Sequence, residues 1–257
     1  MNIEITAPTS LIDTSPETAY FWGRVVGDGT IATNQIRVRA SDETAAHRLA
    51  TIAGAEQTRE PSNENEQKQN EITHQIRERE YLHDTSITRR ENEYIVTVTG
   101  DIASEATSIF GLPIPMETFE ESVSDTVSTA EDDSSISIPD SAYNFTELTE
   151  HTQPLLRGLF EGCGTICYKQ SAGAVGLSFV HNKQVLERVD NLLGDLPVPT
   201  PTSDPAPASS NGHWFSLDDD AAPAVGRQLY ANTDSTGLFA PGRRRKLLGC
   251  LDRIDDE

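Results

Sequence analysis

Two glycine-rich segments of this 257-residue chain align without a gap, FWGRVVGDGTI at 21–31 and LRGLFEGCGTI at 156–166. Gly23, Gly27, Gly29, Thr30 and Ile31 fall on Gly158, Gly162, Gly164, Thr165 and Ile166, while Asp28 falls on Cys163. In each copy the first two glycines share one helix face, which lets a second backbone approach closely. Each glycine costs up to about 1 kcal/mol of helix propensity, so two in one helix imply a compensating contact. The spacing therefore predicts two helices that pack on each other through Gly23, Gly27, Gly158 and Gly162.

The flanks repeat as well. Ser15 and Pro16 supply an N-cap and first helical position ahead of the first motif. Gly29 to Ala40 then reads as strand material, with Ile36, Val38 and Ala40 alternating against Gln35, Arg37 and Arg39. Asp42 opens a helix that closes at Gly54. In the second copy a helix spans Pro154 to Gly162, strands run around Ile166 and from Val175 to Val180, and a helix follows from Asn182 to Gly194. Matched motif, order and helix length imply an internal duplication. The halves are expected at 13–115 and 142–257. The acidic, Ser/Thr-rich stretch 116–141 reads as a linker, 197–212 as a Pro-rich loop, and Arg59 to Asn70 as a polar insertion.

Composition narrows the function classes. The formal charge is −21, and Lys68, Lys169, Lys183 and Lys246 are the only lysines. Such a surface suits a cytoplasm of molar salt, where repulsion is screened within about 3 Å, so a halophilic, cytoplasmic protein is expected. No apolar run reaches the roughly 20 residues needed to cross a bilayer. Three cysteines, Cys163, Cys167 and Cys250, form no paired framework and no zinc spacing, and the six histidines are scattered. Arg24, Arg157 and Glu161 inside the motif helices argue against a membrane pair. A dinucleotide loop is excluded because the GDG follows a helix rather than a strand.

With these residues in view, the chain resembles the LAGLIDADG homing endonucleases. FWGRVVGDG and LRGLFEGCG match the nine-residue motif, the strand and helix after each motif are similar to that family, and LYANTDSTGLFAPGRRRKLLGCL loosely resembles its closing helices. The resemblance implies an α+β fold of two pseudo-symmetric αββαββα half-domains, with antiparallel saddle sheets and the motif helices paired at the interface. It further implies that the saddle lies along the DNA major groove. Each motif's last carboxylate would hold divalent metal, usually magnesium, against a scissile phosphate. Asp28 matches that position in the first half as catalytic residue and metal ligand.

Cys163 occupies the equivalent place in the second half, and a thiol is a soft ligand that suits magnesium poorly. Glu161, two residues earlier, could replace it only if the helix end were remodelled. For the DNA surface the resemblance points to Arg37, Arg39 and Lys169 on strands, to Arg77 and Arg79 beside a second hairpin with Arg89 and Arg90, and to the cluster Arg243, Arg244, Arg245 and Lys246. The alternative for all of them is pairing with surplus carboxylates on a solvated face. Phe21 and Trp22 read as packing at the interface between the halves, and His181 and His213 as surface or strand-end residues.

Three functions follow in order. The first is a DNA-binding protein, monomeric with an internal pseudo-dimer, in which double-strand cleavage fails at Cys163. The second is an active magnesium-dependent endonuclease or nickase using Asp28, and the third an acidic protein-interaction module.

Overall fold

A computed structural model describes residues 5–32, 34–54, 70–81, 84–112, 143–208 and 212–255, with only the backbone for 70, 78–81 and 84–89. The expected linker 116–141 and most of the insertion 59–70 lie outside the described residues. The first half runs α1 (Pro16–Asp28), β1 (Gly29–Ala32), β2 (Gln35–Ala40), α2 (Glu43–Ile52), β3 (Asn70–Tyr81), β4 (Asp84–Thr99) and α3 (Ile102–Phe110). The second runs α4 (Thr152–Cys163), β5 (Gly164–Lys169), β6 (Ala174–His181), α5 (Lys183–Gly194), β7 (Ala206–Pro207), β8 (His213–Ser216), α6 (Ala222–Leu229), α7 (Thr233–Thr236) and α8 (Pro241–Asp255). A 3-10 turn at Thr146–His151 leads into α4.

Both halves build a four-stranded antiparallel sheet with the same strand order, β1-β2-β4-β3 in one and β5-β6-β8-β7 in the other. Local chemistry explains the elements. The Ser15 hydroxyl accepts from Thr18 N–H while the Thr18 hydroxyl accepts from Ser15 N–H, a capping box with Pro16 at the first helical position. Asp42 and Asn182 cap α2 and α5 through their side chains. The strand material of 29–40 forms two strands, because the chain reverses between Ala32 and Gln35 and returns in antiparallel register, Gly29 opposite Val38.

Period-two alternation sets the faces. Ile36 and Val38, with Val98 and Val96 opposite them, are buried, as are Ile166 with Leu177 and Phe179 with Phe215. The inner faces close on the helices, above all on Tyr20, Phe21, Trp22 and Val25 of α1 and Leu155, Leu156, Leu159 and Phe160 of α4, all buried. Trp22 donates to Leu11 O at 2.6 Å and packs on Phe110, so it works within the first half rather than at the interface between halves where it was expected.

The motif helices α1 and α4 meet along their glycines. A Cβ on Gly23 would lie 2.3 Å from Leu155 O, one on Gly158 2.3 Å from Tyr20 O, and one on Gly162 2.7 Å from Gly27 Cα. Backbone therefore touches backbone at the centre of the molecule, and no side chain fits between.

Candidate nucleic-acid interface

Helices α1 and α4 bring their last residues, Asp28 and Cys163, to the same end of the pair. There the backbones of Gly27, Asp28, Gly162 and Cys163 are in contact. Asp28 is partly exposed, and Arg39 Nη1 stands 3.4 Å from its Oδ1. Cys163 differs in every respect that matters for a metal. Its Sγ donates to Leu159 O at 3.3 Å, and burial pushes its pKa up to about 12 with Asp28 raising it further, although the Arg243 and Arg24 guanidiniums pull the other way. The side chain is thus a neutral thiol at physiological pH.

Glu161, expected to reach a metal only if the helix end were remodelled, is no substitute. It is buried, with Oε2 accepting from the Tyr20 hydroxyl at 2.6 Å and Oε1 from Ala240 N–H at 2.8 Å, so it points into the protein and ties the two motif helices to the C-terminal segment. Among the described residues no group of three or more His, Cys, Asp or Glu side chains could hold a metal ion. One carboxylate, one neutral thiol and a nearby guanidinium do not fit a pair of magnesium sites, whose ligands are hard oxygens.

The C-terminal basic cluster also divides. Arg243 Nη2 donates to Gly164 O at 2.6 Å and to Glu161 O at 3.2 Å, closing the carbonyl end of α4. Arg244 forms two bonds to the Asp234 carboxylate, at 2.6 and 2.8 Å, and lies over the Phe239 ring. Both were expected on a DNA surface. They serve the fold instead, because unpaired helix-end carbonyls and a nearby carboxylate claim them. Arg245 and Lys246 are exposed.

On the first sheet the solvent face carries the expected arginines. Arg37 is exposed and faces Thr97, with Thr30 on its other side. Arg39 faces Ile95. Arg77 is exposed and reaches Glu93 at 3.2 Å. Arg79 pairs with Arg89 in the ladder, and both side chains lie outside the described residues. On the second sheet Lys169 is held by Asp219 at 2.5 Å.

A family model described as "Putative archaeal homing endonuclease" matches the chain over residues 1–122 and again over 116–257. The chain belongs to the LAGLIDADG family. Its LAGLIDADG fold is similar to that of the homing endonuclease I-WcaI bound to its DNA recognition sequence, with a TM-score of 0.51 at 11% identity over 91% of this chain and 87% of that one. Full-length DUF199/WhiA from Thermatoga maritima matches with a TM-score of 0.46 at 14% identity, over 94% of this chain and 61% of that chain, so this chain spans about three-fifths of that protein. The N-terminal LAGLIDADG domain of DUF199/WhiA matches with a TM-score of 0.42 at 12% identity over 88% of this chain and 84% of that one. Comparison with curated proteins finds no match. Among the described residues no helix is long and apolar enough to cross a membrane.

Three contributors to the LAGLIDADG interface carry no signal in the sequence. His181 Nε2 lies 2.9 Å from Val26 O and so bonds the end of β6 to the last turn of α1 across the halves. Arg157 donates to Leu229 O at 2.5 Å and Leu238 O at 2.8 Å, and Arg48 donates to Phe239 O at 2.5 Å. A lone histidine at a strand end and arginines inside helices look the same in sequence whether they are solvated or clamp a distant carbonyl.

Proposed function

We propose that this protein binds specific duplex DNA as a monomer with an internal pseudo-dimer, and that it does not cut both strands. The observation carrying the second part is the Cys163 thiol, half-buried and donating to Leu159 O with its pKa pushed up to about 12, where the first half has Asp28. Hydrolysis of both strands by this scaffold needs a carboxylate near each phosphate, and a neutral thiol supplies neither charge nor a hard ligand. Support for DNA as the partner comes from membership of the LAGLIDADG family and from exposed Arg37 and Arg77 on a sheet face beside the motif ends. The charge of −21 restricts such binding to arginine-bearing faces and makes molar salt the setting in which the fold and the contacts are to be tested.

The test is incubation of the full chain with a randomised duplex library, in magnesium and molar KCl, followed by recovery of bound DNA and of cut ends. Retention of specific duplexes without double-strand breaks is expected. Efficient double-strand cutting that is abolished by Asp28→Asn would refute the binding-only reading. Cuts confined to one strand and lost in the same variant would establish a nickase.

A further inference from the structure

We propose that the target is read unequally, with a long arm read by arginines of the first sheet and a short arm read by apolar contacts of Trp214 and Val180 with thymine methyls. The inference rests on the DNA-binding reading above and names the kind of sequence each half takes.

The repeat register makes the comparison position by position. Thr30 aligns with Thr165, and their cross-strand partners are Arg37 and Ser178. Gly29 aligns with Gly164, opposite Val38 and Phe179; one residue further out, the positions held by the Asp28–Arg39 ion pair in the first half are Cys163 and Val180 in the second. Two arginines of one face are therefore a serine and a valine on the other. Neither member of that ion pair has a charged counterpart at the aligned position of the second half. Across β6 and β8, Val180 faces Trp214, which faces Ala206 of β7, and Ser178 faces Ser216. Trp214 is 40% and Val180 36% exposed, although their neighbours in the core are closed. The face's strand cation, Lys169, is bound to Asp219.

Base chemistry assigns the two faces. Guanine O6 and N7 are the major-groove pair that a guanidinium grips bidentately, whereas the C5-methyl of thymine is the apolar group there. Trp214 and Val180 stand on the side of the second sheet equivalent to the arginine face of the first, in a sheet of the same strand order, so the same duplex is their occupant.

The strands also differ in reach. β3 and β4 have 12 and 16 residues, about 40 and 53 Å at roughly 3.3 Å per residue. The 12-residue β3 stays paired with β4 well beyond the last residue of β4 that pairs with β2, Tyr94. In the second sheet β6 has 8 residues, β8 has 4 and β7 has 2, about 26, 13 and 7 Å. At roughly 3.4 Å per base pair, the first sheet can follow about 12 base pairs and the second about 4 to 8.

Selection of bound sequences from a random duplex library with the full chain in molar KCl, followed by hydroxyl-radical footprinting of the winner, tests this. The expected footprint has arms of unequal length, guanine preferences in the long one and thymine in the short one. Repeating the selection with Arg37→Ala should relax guanine preference in the long arm by roughly 5- to 150-fold. Trp214→Ala should relax thymine preference in the short arm alone, and Trp214→Phe should keep it. Both side chains are exposed, and circular dichroism checks that the variants fold. Equal arms, guanine preference in the arm that Trp214→Ala affects, or no change in base preference with Trp214→Ala would overturn the proposal while leaving DNA binding intact. Failure to retain any duplex would sink the DNA-binding reading itself.

Discussion

Replacing Gly23 with alanine tests whether the two halves are held backbone to backbone. The added Cβ would meet Leu155 O at 2.3 Å, Leu159 N at 3.0 Å and Gly158 Cα at 3.1 Å, and ordinary contact begins at 3.4 Å. All three are backbone atoms that cannot rotate aside, so α1 and α4 must part by about 1 Å, which forfeits a quarter to a half of the dispersion attraction along the seam. Overpacking of this kind costs typically about 1–3 kcal/mol, with the immovable neighbours favouring the upper end, and alanine's helix propensity returns up to about 1 kcal/mol. The net expectation is a loss of about 2 kcal/mol, or roughly 4–8 °C in Tm for a chain of this size. Gly249→Ala is the matched control, because nothing lies within 4 Å of a Cβ there in the middle of α8. It should stabilise by about 0.5–1 kcal/mol. Urea titrations in molar KCl, followed by tryptophan fluorescence, would measure both. A Gly23→Ala variant at least as stable as the parent, alongside a stabilised Gly249→Ala, would refute the close helix approach.

Cysteine chemistry gives an independent check. Iodoacetamide at pH 8 should modify exposed Cys167 and spare Cys163, whose pKa of about 12 leaves almost no thiolate, as peptide mass spectrometry would read. Within the C-terminal cluster, Arg243→Ala should cost about 2 kcal/mol because it frees the carbonyls that close α4, whereas Lys246→Ala on the exposed face should change stability by less than about 0.5 kcal/mol. Burial holds the His181 pKa below its ordinary value. Its contribution is therefore complete above about pH 6.5, where the unfolded histidine is neutral, and is lost as pH falls below that, because the unfolded chain takes up a proton that the folded one refuses. Urea midpoints at pH 7.5 and 5.5 should converge in His181→Gln, and an unchanged difference would show that other groups set the slope.

The paired helices were legible in the sequence because the glycine spacing expresses a backbone constraint, which leaves few solutions. Helices α2 and α5 were legible because Asp42 and Asn182 are caps that act within three residues. What escaped depends on partners far along the chain. The reversal at 32–35 lacks a glycine or proline and offers only Asn34 as a turn former, so the local pattern does not fix where β1 ends and β2 begins. Arg243, Arg244 and Glu161 announce their charge in sequence but not their partners, which are the end of α4, Asp234, and Tyr20 with the Ala240 N–H. Charged residues placed by type alone default to a surface, and the carbonyls and amides that capture them become visible only when the elements are docked.

The two copies have diverged according to what each position touches. The helix-facing glycines are fixed, since a Cβ at 23, 27, 158 or 162 meets backbone within 3 Å. Trp22 and Val26 correspond to Arg157 and Glu161, and each fits its surroundings: Trp22 packs on Phe110, while Arg157 and Glu161 bind the segment from Leu229 to Ala240, which has no counterpart among the described residues of the first half. At the motif ends the change is paired. Losing Asp28 alone would leave Arg39 to the more distant Glu93 at 4.0 Å, and losing Arg39 alone would leave a carboxylate at the negative end of α1. The second half has neither member, and Arg243 supplies positive charge at the end of α4 from another part of the chain. Such a site stays satisfied without a metal, so the helix seam and the sheet faces do not depend on a carboxylate at the motif end of the second half.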